Sequence, residues 1–275
     1  MHSEGNRAIL QLGMMNFRHI RSARLHQAVL IVSLLLLVLL RWRWIGHLLV
    51  WDEAMNLCAV RAFLAEGTDH FSNWFWRHPP LFCGLMLLLQ PLKQGFAERV
   101  ELLTITLSAV NALLILAINR KVFNQRVALW SVFFLAVMPG SVFFDVWVKR
   151  DLPAATFGLL AILLLLHRKL PFAAFSLGVA MLSKETGLFY AGGCALLWLF
   201  GVGQPRTFKG LVVLAVVPLL SCAWWYGWFS TDCHVDFAVG QNTGFNAAST
   251  FYLHRIVHDL GWLGVGFAVT VHGVE

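Results

Sequence analysis

The apolar segment "PPLFCGLMLLLQPL", residues 79–92, decides how the rest of the chain is threaded. A crossing helix needs roughly 20 residues to span about 30 Å of hydrocarbon, whereas this segment reaches only about 21 Å as an α-helix. The two prolines and the preceding "NWFWRH", residues 73–78, suit a helix start at the membrane surface. We therefore predict a re-entrant or interfacial element here, because one more crossing would invert every later loop.

Composition identifies an integral membrane protein. Of 275 residues, 59% are hydrophobic and 13% are charged, and the mean hydropathy is +0.70, far from the values of soluble globular domains. Apolar runs recur almost to the C-terminus, so we predict an all-α polytopic membrane protein. The expected crossings are 25–44, 100–118, 127–144, 152–166, 172–183, 188–202 and 211–229.

These runs predict a single transmembrane domain over residues 1–275. Its parts are a cytoplasmic N-terminus (1–24), a first outer loop with interfacial helices (45–98), a helix bundle (99–229), and an outer loop with a candidate last helix (230–275). The first apolar run has a basic flank like a signal peptide, but "RWRWIGHLLVWDE", residues 41–53, contains no small-residue cleavage site. The first helix is therefore expected to stay.

The net charge of +7 sets the orientation rather than indicating a nucleic-acid partner. Basic residues cluster in short segments between apolar runs, which the positive-inside rule assigns to the cytoplasm. These segments are residues 18–24, 119–126, 167–169 and 205–209. One membrane topology places all four segments on the cytoplasmic side, provided that residues 79–92 do not cross.

The same topology places carboxylates, cations and histidine on the outer face of the membrane. A transporter would instead place ionisable groups near the bilayer midplane, so chemistry at one membrane surface explains the pattern better. The cluster "TDCHVDF", residues 231–237, and the five cysteines match no strong metal or disulfide spacing. We expect no metal site from them.

Asp52 and Glu53 open the predicted amphipathic helix "WDEAMNLCAVRAFLAEG", residues 51–67. Asp52 can be a helix cap and Glu53 can complement the helix dipole. Alternatively, two acids at an apolar interface directly after a crossing helix form a candidate general base. The residues alone leave both interpretations open.

His78 precedes the two prolines and is thereby held extended at a helix N-terminus, where Arg77 lies beside it. A helix start with nearby cations suits a phosphate, whereas the neighbouring tryptophans are typical of an interfacial aromatic belt.

A third group lies in "FFDVWVKRDLPAATF", residues 143–157. Here Asp151 can cap a helix while Lys149 and Arg150 snorkel outward. Two external cations with an acid also suit an anionic ligand. Lys184 and Glu185 are a further cation and acid that suit such a ligand. The alternative is that they form a local ion pair.

Five stretches, taken in order, resemble the GT-C glycosyltransferases that use polyprenyl-phosphate sugars. The resemblance covers roughly residues 44–200 and is nearest to the protein O-mannosyltransferase and aminoarabinose transferase group, glycosyltransferase families 39 and 83. The stretches are "DE" (52–53), "HPPL" (78–81), "ERVELLTITLSAVNALLI" (98–115), "VKRDLPAATFGLLAILLLL" (148–166) and "LSKETGL" (182–188). The chain is shorter than typical members and stops after an apolar stretch.

The resemblance implies a GT-C-like transmembrane bundle and an inverting, in-line transfer of a sugar at the non-cytoplasmic side of a membrane such as the bacterial inner membrane. Asp52 would be the base and Glu53 its supporting neighbour. His78, Arg99 and Lys184 would bind the donor phosphate. The remaining polar residues of the cavity would be Arg77, Lys149, Arg150, Asp151 and Glu185.

The implied partners are a polyprenyl-phosphate sugar, membrane lipids, an acceptor protein, lipid or glycan, and a partner subunit. No cofactor is required by the resemblance, and a divalent metal is left open. The alternative is a non-catalytic membrane protein of the same fold that binds lipid-linked glycans or supports a partner subunit.

Overall fold

The computed structural model describes residues 24–46, 56–58, 60–61, 79–89, 95–202 and 207–224. Their regular secondary structure is entirely helical, which confirms the predicted all-α class. The helices are α1 (Arg24–Trp42), α2 (Leu81–Leu89), α3 (Phe96–Val122), α4 (Gln125–Val137), α5 (Pro139–Phe144), α6 (Asp151–Leu166), α7 (Leu170–Ser183), α8 (Gly187–Leu199) and α9 (Phe208–Trp224).

The chain forms two compact units, Met1–Ala223 and Trp224–Glu275. The helices belong to the first unit, apart from the last residue of α9. The predicted outer segment 230–275 lies outside the described residues, and the single-domain organisation with its four parts stays a prediction.

Each of the seven predicted crossings contains a helix, but the prediction of one helix over 127–144 is wrong. Met138 separates α4 from α5 with an extended backbone, at φ −62° and ψ 121°. Pro139 causes the break, because a proline disfavours the helical conformation of the residue before it and is well suited to begin the next helix.

Helix length divides the apolar helices into two groups. By length and composition, α1 with 19 residues and α3 with 27 residues are able to cross a membrane, while the helices α4 and α6–α9 are apolar but shorter. Helix α2 has nine residues and is therefore about 13 Å long, too short to span a bilayer. This length agrees with the prediction that residues 79–92 do not cross.

The helices place two kinds of polar segment at opposite ends of the bundle. One end, called here the mixed-charge end, contains residues 41–46, 95–101, 145–151 and 184–186. The other, the basic end, contains residues 119–126, 167–169 and 207–209. An ion pair between Asp151 and Lys184 joins the start of α6 to the end of α7, and Gly210 approaches Trp198 and Leu170 at the basic end.

Two apolar clusters form the core. Helix α1 packs on α3 and α4 through Leu37, which is fully buried among Ala112, Leu116, Ala128, Leu129, Val132 and Ala136. The second cluster joins α6, α7, α8 and α9 around Leu165, Leu177 and Trp198. Small residues let these helices approach closely, since Gly158 lies against the ring of Tyr190 and Gly178 against Ser221.

Helix α6 ends in a Schellman motif at the turn to α7. The amide of Lys169 donates to the carbonyl of Leu164, and the amide of Arg168 donates to that of Leu165. The motif requires a left-handed residue, usually glycine, and here Arg168 supplies it with φ 61°. The same motif at the end of α8 uses Gly201, with φ 74°.

Gly187 has no room for a side chain, so Gly187→Ala is expected to lower the free energy of unfolding by about 1–3 kcal/mol. A Cβ atom there would lie 2.5 Å from the carbonyl carbon of Ala180 and 2.6 Å from the backbone nitrogen of Met181. Backbone atoms cannot rotate away, so α7 and α8 would have to separate. Thermal unfolding in detergent measures the loss.

The matched control is Gly192→Ala on the same helix, where a Cβ would meet nothing within 4 Å. Because alanine has the higher helix propensity, this substitution is expected to be neutral or to stabilise by up to about 1 kcal/mol. Equal melting temperatures for the two variants would contradict the packing argument.

Candidate functional site

The mixed-charge end is built around residues 145–150, which connect α5 to α6. Side chains from other segments hold the backbone of this connection. Thr104 on α3 donates its hydroxyl to the carbonyl of Val146 at 3.2 Å, and the Asn56 amide nitrogen donates to the carbonyl of Val148 at 3.1 Å. The connection is therefore fixed from α3 and from the stretch that contains Asn56.

A buried ion pair anchors the start of the connection. Arg41, at the end of α1, is fully buried and places its Nη2 2.6 Å from Oδ2 of Asp145. The hydroxyls of Ser108 and Ser141 donate to the same oxygen at 2.6 Å and 2.9 Å. This oxygen is fully engaged inside the fold, which assigns Asp145 a structural role.

The remaining donors of Arg41 are also used. Its Nη1 donates to the carbonyls of Leu37 and Ala136, and its Nη2 donates to the carbonyl of Leu135 and the hydroxyl of Ser141, at 2.8–3.1 Å. A buried guanidinium needs such partners to offset the loss of water. Arg41 thus ties α1 to the chain around the α4–α5 break.

Arg150 ends the connection and is buried, with 5% of its surface exposed. Its Nη2 donates to Oδ1 of Asn56 at 2.8 Å and lies 3.6 Å from the sulfur of Cys83 on α2. The interpretation that Arg150 snorkels outward is therefore wrong, because its side chain points into contacts with two other segments. Arg150 joins the stretch that contains Asn56, α2 and α6.

Asp151 and Lys184 form a partly exposed ion pair. The Lys184 ammonium lies 2.6 Å from Oδ1 of Asp151, and the two side chains are 30% and 49% exposed. The cap interpretation of Asp151 is wrong, because Arg150 occupies the cap position and no side chain caps the helix. Exposed pairs of this kind contribute about 0–1 kcal/mol, so the pair stabilises the fold little and leaves both groups near solvent.

Arg99, in the first turn of α3, differs from Arg41. It is only partly buried as a residue, yet its Nε and Nη2 are shielded from solvent and have no hydrogen-bond partner. Burying a charged donor without a partner is costly. An anion that contacts Arg99 would remove this cost.

Two further cations lie over aromatic rings. The Lys149 ammonium is 3.9 Å from the ring centre of Trp147 and 5.6 Å from that of Phe144. Arg61 lies 5.9 Å over the ring of Phe96. Such contacts attract a cation to the face of an aromatic ring.

Four predicted site residues, Asp52, Glu53, Arg77 and His78, lie outside the described residues, so their roles stay predictions. The predicted helix 51–67 is helical at 56–58 and 60–61. Asn56, Leu57 and Val60 are buried there, which shows that this stretch packs against the protein.

The structure therefore gathers Arg99, Lys149, Arg150, Asp151, Lys184 and Glu185 at the mixed-charge end. Three important residues were not predicted as site residues: Arg41, Asn56 and Asp145. Arg41 is one of several basic residues flanking the first crossing, and nothing local distinguishes it. Asn56 could have been found from its position, because it shares a face of the predicted helix with Asp52.

Among the described residues, no three His, Cys, Asp or Glu side chains are grouped so that they could hold a metal ion. Three of the described acids have other partners, since Glu101 accepts from the amide of Gly46 at 2.8 Å and Asp145 and Asp151 pair with cations. Participation of a divalent metal stays open.

The helical bundle, with its mixed charges gathered at one end, is similar in fold to a solved membrane glycosyltransferase of the GT-C class. The solved structure of the S. cerevisiae protein O-mannosyltransferase Pmt1-Pmt2 complex bound to the sugar donor matches with a TM-score of 0.50 at 18% sequence identity. The match covers 78% of this chain and 33% of that chain, so this chain spans about a third of its length.

The sequence model of the dolichyl-phosphate-mannose-protein mannosyltransferases matches residues 77–228, more than half of the chain. The chain belongs to this family, which confirms the resemblance seen in the sequence. A comparison with curated proteins gives no match.

Proposed function

We propose that the chain is the core of a membrane glycosyltransferase that transfers a sugar from a polyprenyl-phosphate carrier to an acceptor outside the cytoplasm. The family description supports mannose as the sugar and a protein as the acceptor. The neighbouring structure is a two-subunit complex with bound sugar donor, which supports a lipid-linked donor and a partner subunit here.

The observation that carries this proposal is the pair of unpartnered guanidinium nitrogens of Arg99. Its Nε and Nη2 are buried without a hydrogen-bond partner, whereas Arg41 is bonded on every side by the protein. A phosphate oxygen is the acceptor that a guanidinium binds best. The carrier phosphate would satisfy these two nitrogens.

The location of Arg99 suits a lipid carrier. It lies in the first turn of α3, at the same end of the bundle as Lys149, Arg150 and Lys184. The polyprenyl tail can remain in the bilayer while its phosphate reaches these cations. The basic end, by contrast, carries the segments that the positive-inside rule assigns to the cytoplasm, which supports an active site on the opposite side.

In the proposed reaction, an acceptor oxygen attacks the anomeric carbon while the bond from that carbon to the phosphate oxygen breaks. Asp52 takes the proton from the acceptor, with Glu53 beside it, and the departing phosphate keeps the bonding electron pair. His78, Arg99 and Lys184 stabilise the charge that develops on this phosphate. A single displacement of this kind inverts the anomeric centre.

Arg99→Gln is expected to weaken binding of dolichyl monophosphate about tenfold or more, since it removes a charge-assisted hydrogen bond. Unfolding of the ligand-free protein is expected to be unchanged or shifted to higher temperature, because the variant no longer buries an unpaired charge. Both quantities are measured on purified protein, by ligand titration and by thermal unfolding.

The control is Arg126→Gln, which removes the same charge from an exposed site at the basic end and is expected to leave binding unchanged. Equal affinities of wild type and Arg99→Gln would refute the phosphate assignment. Equal loss in both variants would mean that only overall charge matters.

A further inference from the structure

Asn56 makes two hydrogen bonds of opposite sense with the 148–150 segment. Its Nδ2 donates to the carbonyl of Val148 at 3.1 Å, and its Oδ1 accepts from Nη2 of Arg150 at 2.8 Å. A carbonyl only accepts and a guanidinium only donates, so the orientation of the amide is fixed by its partners. Asparagine supplies the two roles from two separate atoms of one rigid group.

The pair of bonds brackets Lys149. One bond fixes the backbone before it and the other fixes the side chain after it, while Asn56 itself is 5% exposed. Because buried hydrogen bonds of this kind have few alternatives, they hold the segment in one position. Arg150 also reaches Cys83 on α2, so three separate parts of the chain meet around the Arg150 side chain.

Asn56 also lies one helical turn after Asp52 in the predicted helix 51–67. The distance between Asn56 and the 148–150 segment therefore influences the distance between the proposed base and the cations that follow α5. Small displacements of reacting groups cost large factors in rate. The observed geometry links residues 56–58 to the cation-bearing segment through the Asn56 side chain.

We propose that Asn56 is a positioning residue that acts through Arg150 to hold the 148–150 segment against the segment carrying the base. This inference rests on the proposed function. The residue contacts no substrate in this account, so it affects the rate of transfer more than it affects affinity for the donor.

The test measures consumption of dolichyl-phosphate-mannose by native membranes that contain the chain and its acceptors. Asn56→Ala is expected to lower kcat about tenfold while the donor KM stays within about threefold of wild type. The double variant Asn56→Ala/Arg150→Ala is expected to be no slower than Arg150→Ala alone, because the two residues act as one unit.

Thr104→Val is the matched control. It removes a side-chain hydrogen bond to the carbonyl of Val146, in the same connection, without touching Arg150. It is expected to lower the melting temperature about as much as Asn56→Ala does and to leave kcat unchanged. Equal loss of kcat in Asn56→Ala and Thr104→Val would show that Asn56 has only a structural role, and it would overturn the inference.

Asn56→Asp keeps an acceptor for Arg150 and serves if Asn56→Ala does not fold. It is expected to recover most of the lost kcat, and a kcat as low as that of Arg150→Ala would contradict the inference. Failure of the wild type to consume the donor would instead overturn the proposed function. Additive losses in the double variant, with an active wild type, would overturn only the role of Asn56.

Discussion

Arg41→Ala is expected to lower the free energy of unfolding by about 3–5 kcal/mol, because it leaves the Asp145 carboxylate buried without its counter-charge. The side chain of Asp145 is 15% exposed and that of Arg41 is fully buried, so water cannot replace the lost partner. For a chain of this length the loss corresponds to roughly 10 °C in melting temperature. Thermal unfolding in detergent or nanodiscs measures it.

Arg43→Ala is the control, since Arg43 is exposed two residues further along, and it is expected to change stability by less than about 0.5 kcal/mol. The double variant Arg41→Met/Asp145→Asn is expected to recover more than half of the loss, because it leaves no unpaired charge. A loss of about 1 kcal/mol or less in Arg41→Ala would show that the pair is not buried in the working protein.

Asp52→Asn is expected to lower consumption of the sugar donor by about 10²–10⁴-fold, the usual contribution of a general base. Asparagine has nearly the same shape but does not take a proton from the acceptor. Affinity for dolichyl monophosphate is expected to stay within about threefold of wild type, because Asp52 faces the acceptor in the proposed reaction. Donor turnover in native membranes and phosphate binding to purified protein separate these effects.

The outcome also separates catalysis from the alternative function. Unchanged turnover in Asp52→Asn would remove the base assignment. A wild type that binds dolichyl monophosphate but shows no turnover would favour the non-catalytic protein that binds lipid-linked glycans. Loss of both turnover and binding in Asp52→Asn would instead indicate that Asp52 supports the site structurally.

Helix positions were predictable because they depend on apolar runs, which local sequence records directly. The break at Met138 could also have been predicted, since Pro139 is its cause. Hydropathy alone predicted one continuous helix there. The opposite placement of basic and mixed-charge segments follows from alternating helix direction. These features need no knowledge of which side chains touch.

Side-chain partners were harder to predict, because they depend on contacts between distant residues. Arg41 and Asp145 are 104 positions apart, and a basic residue beside a crossing helix usually reads as an orientation signal. Lys184 similarly finds Asp151, 33 positions away, where a local pair with Glu185 was the alternative. The sequence indicated which residue types gather at one end. Packing decides which of their polar atoms are hydrogen-bonded and which, like Nε and Nη2 of Arg99, are buried without a partner.

The turn between α6 and α7 makes two opposing demands on one residue. Arg168 adopts a left-handed backbone that costs an L-residue about 1 kcal/mol and that glycine adopts freely. Glycine would strengthen the folded turn, yet it would remove one of the three basic residues in "HRK". During insertion, before the helices pack together, such charges favour retention of that end of a helical pair on the cytoplasmic side of the membrane. In the proposed orientation, Arg168 therefore keeps a charge that acts during insertion, at a backbone cost that persists in the folded protein.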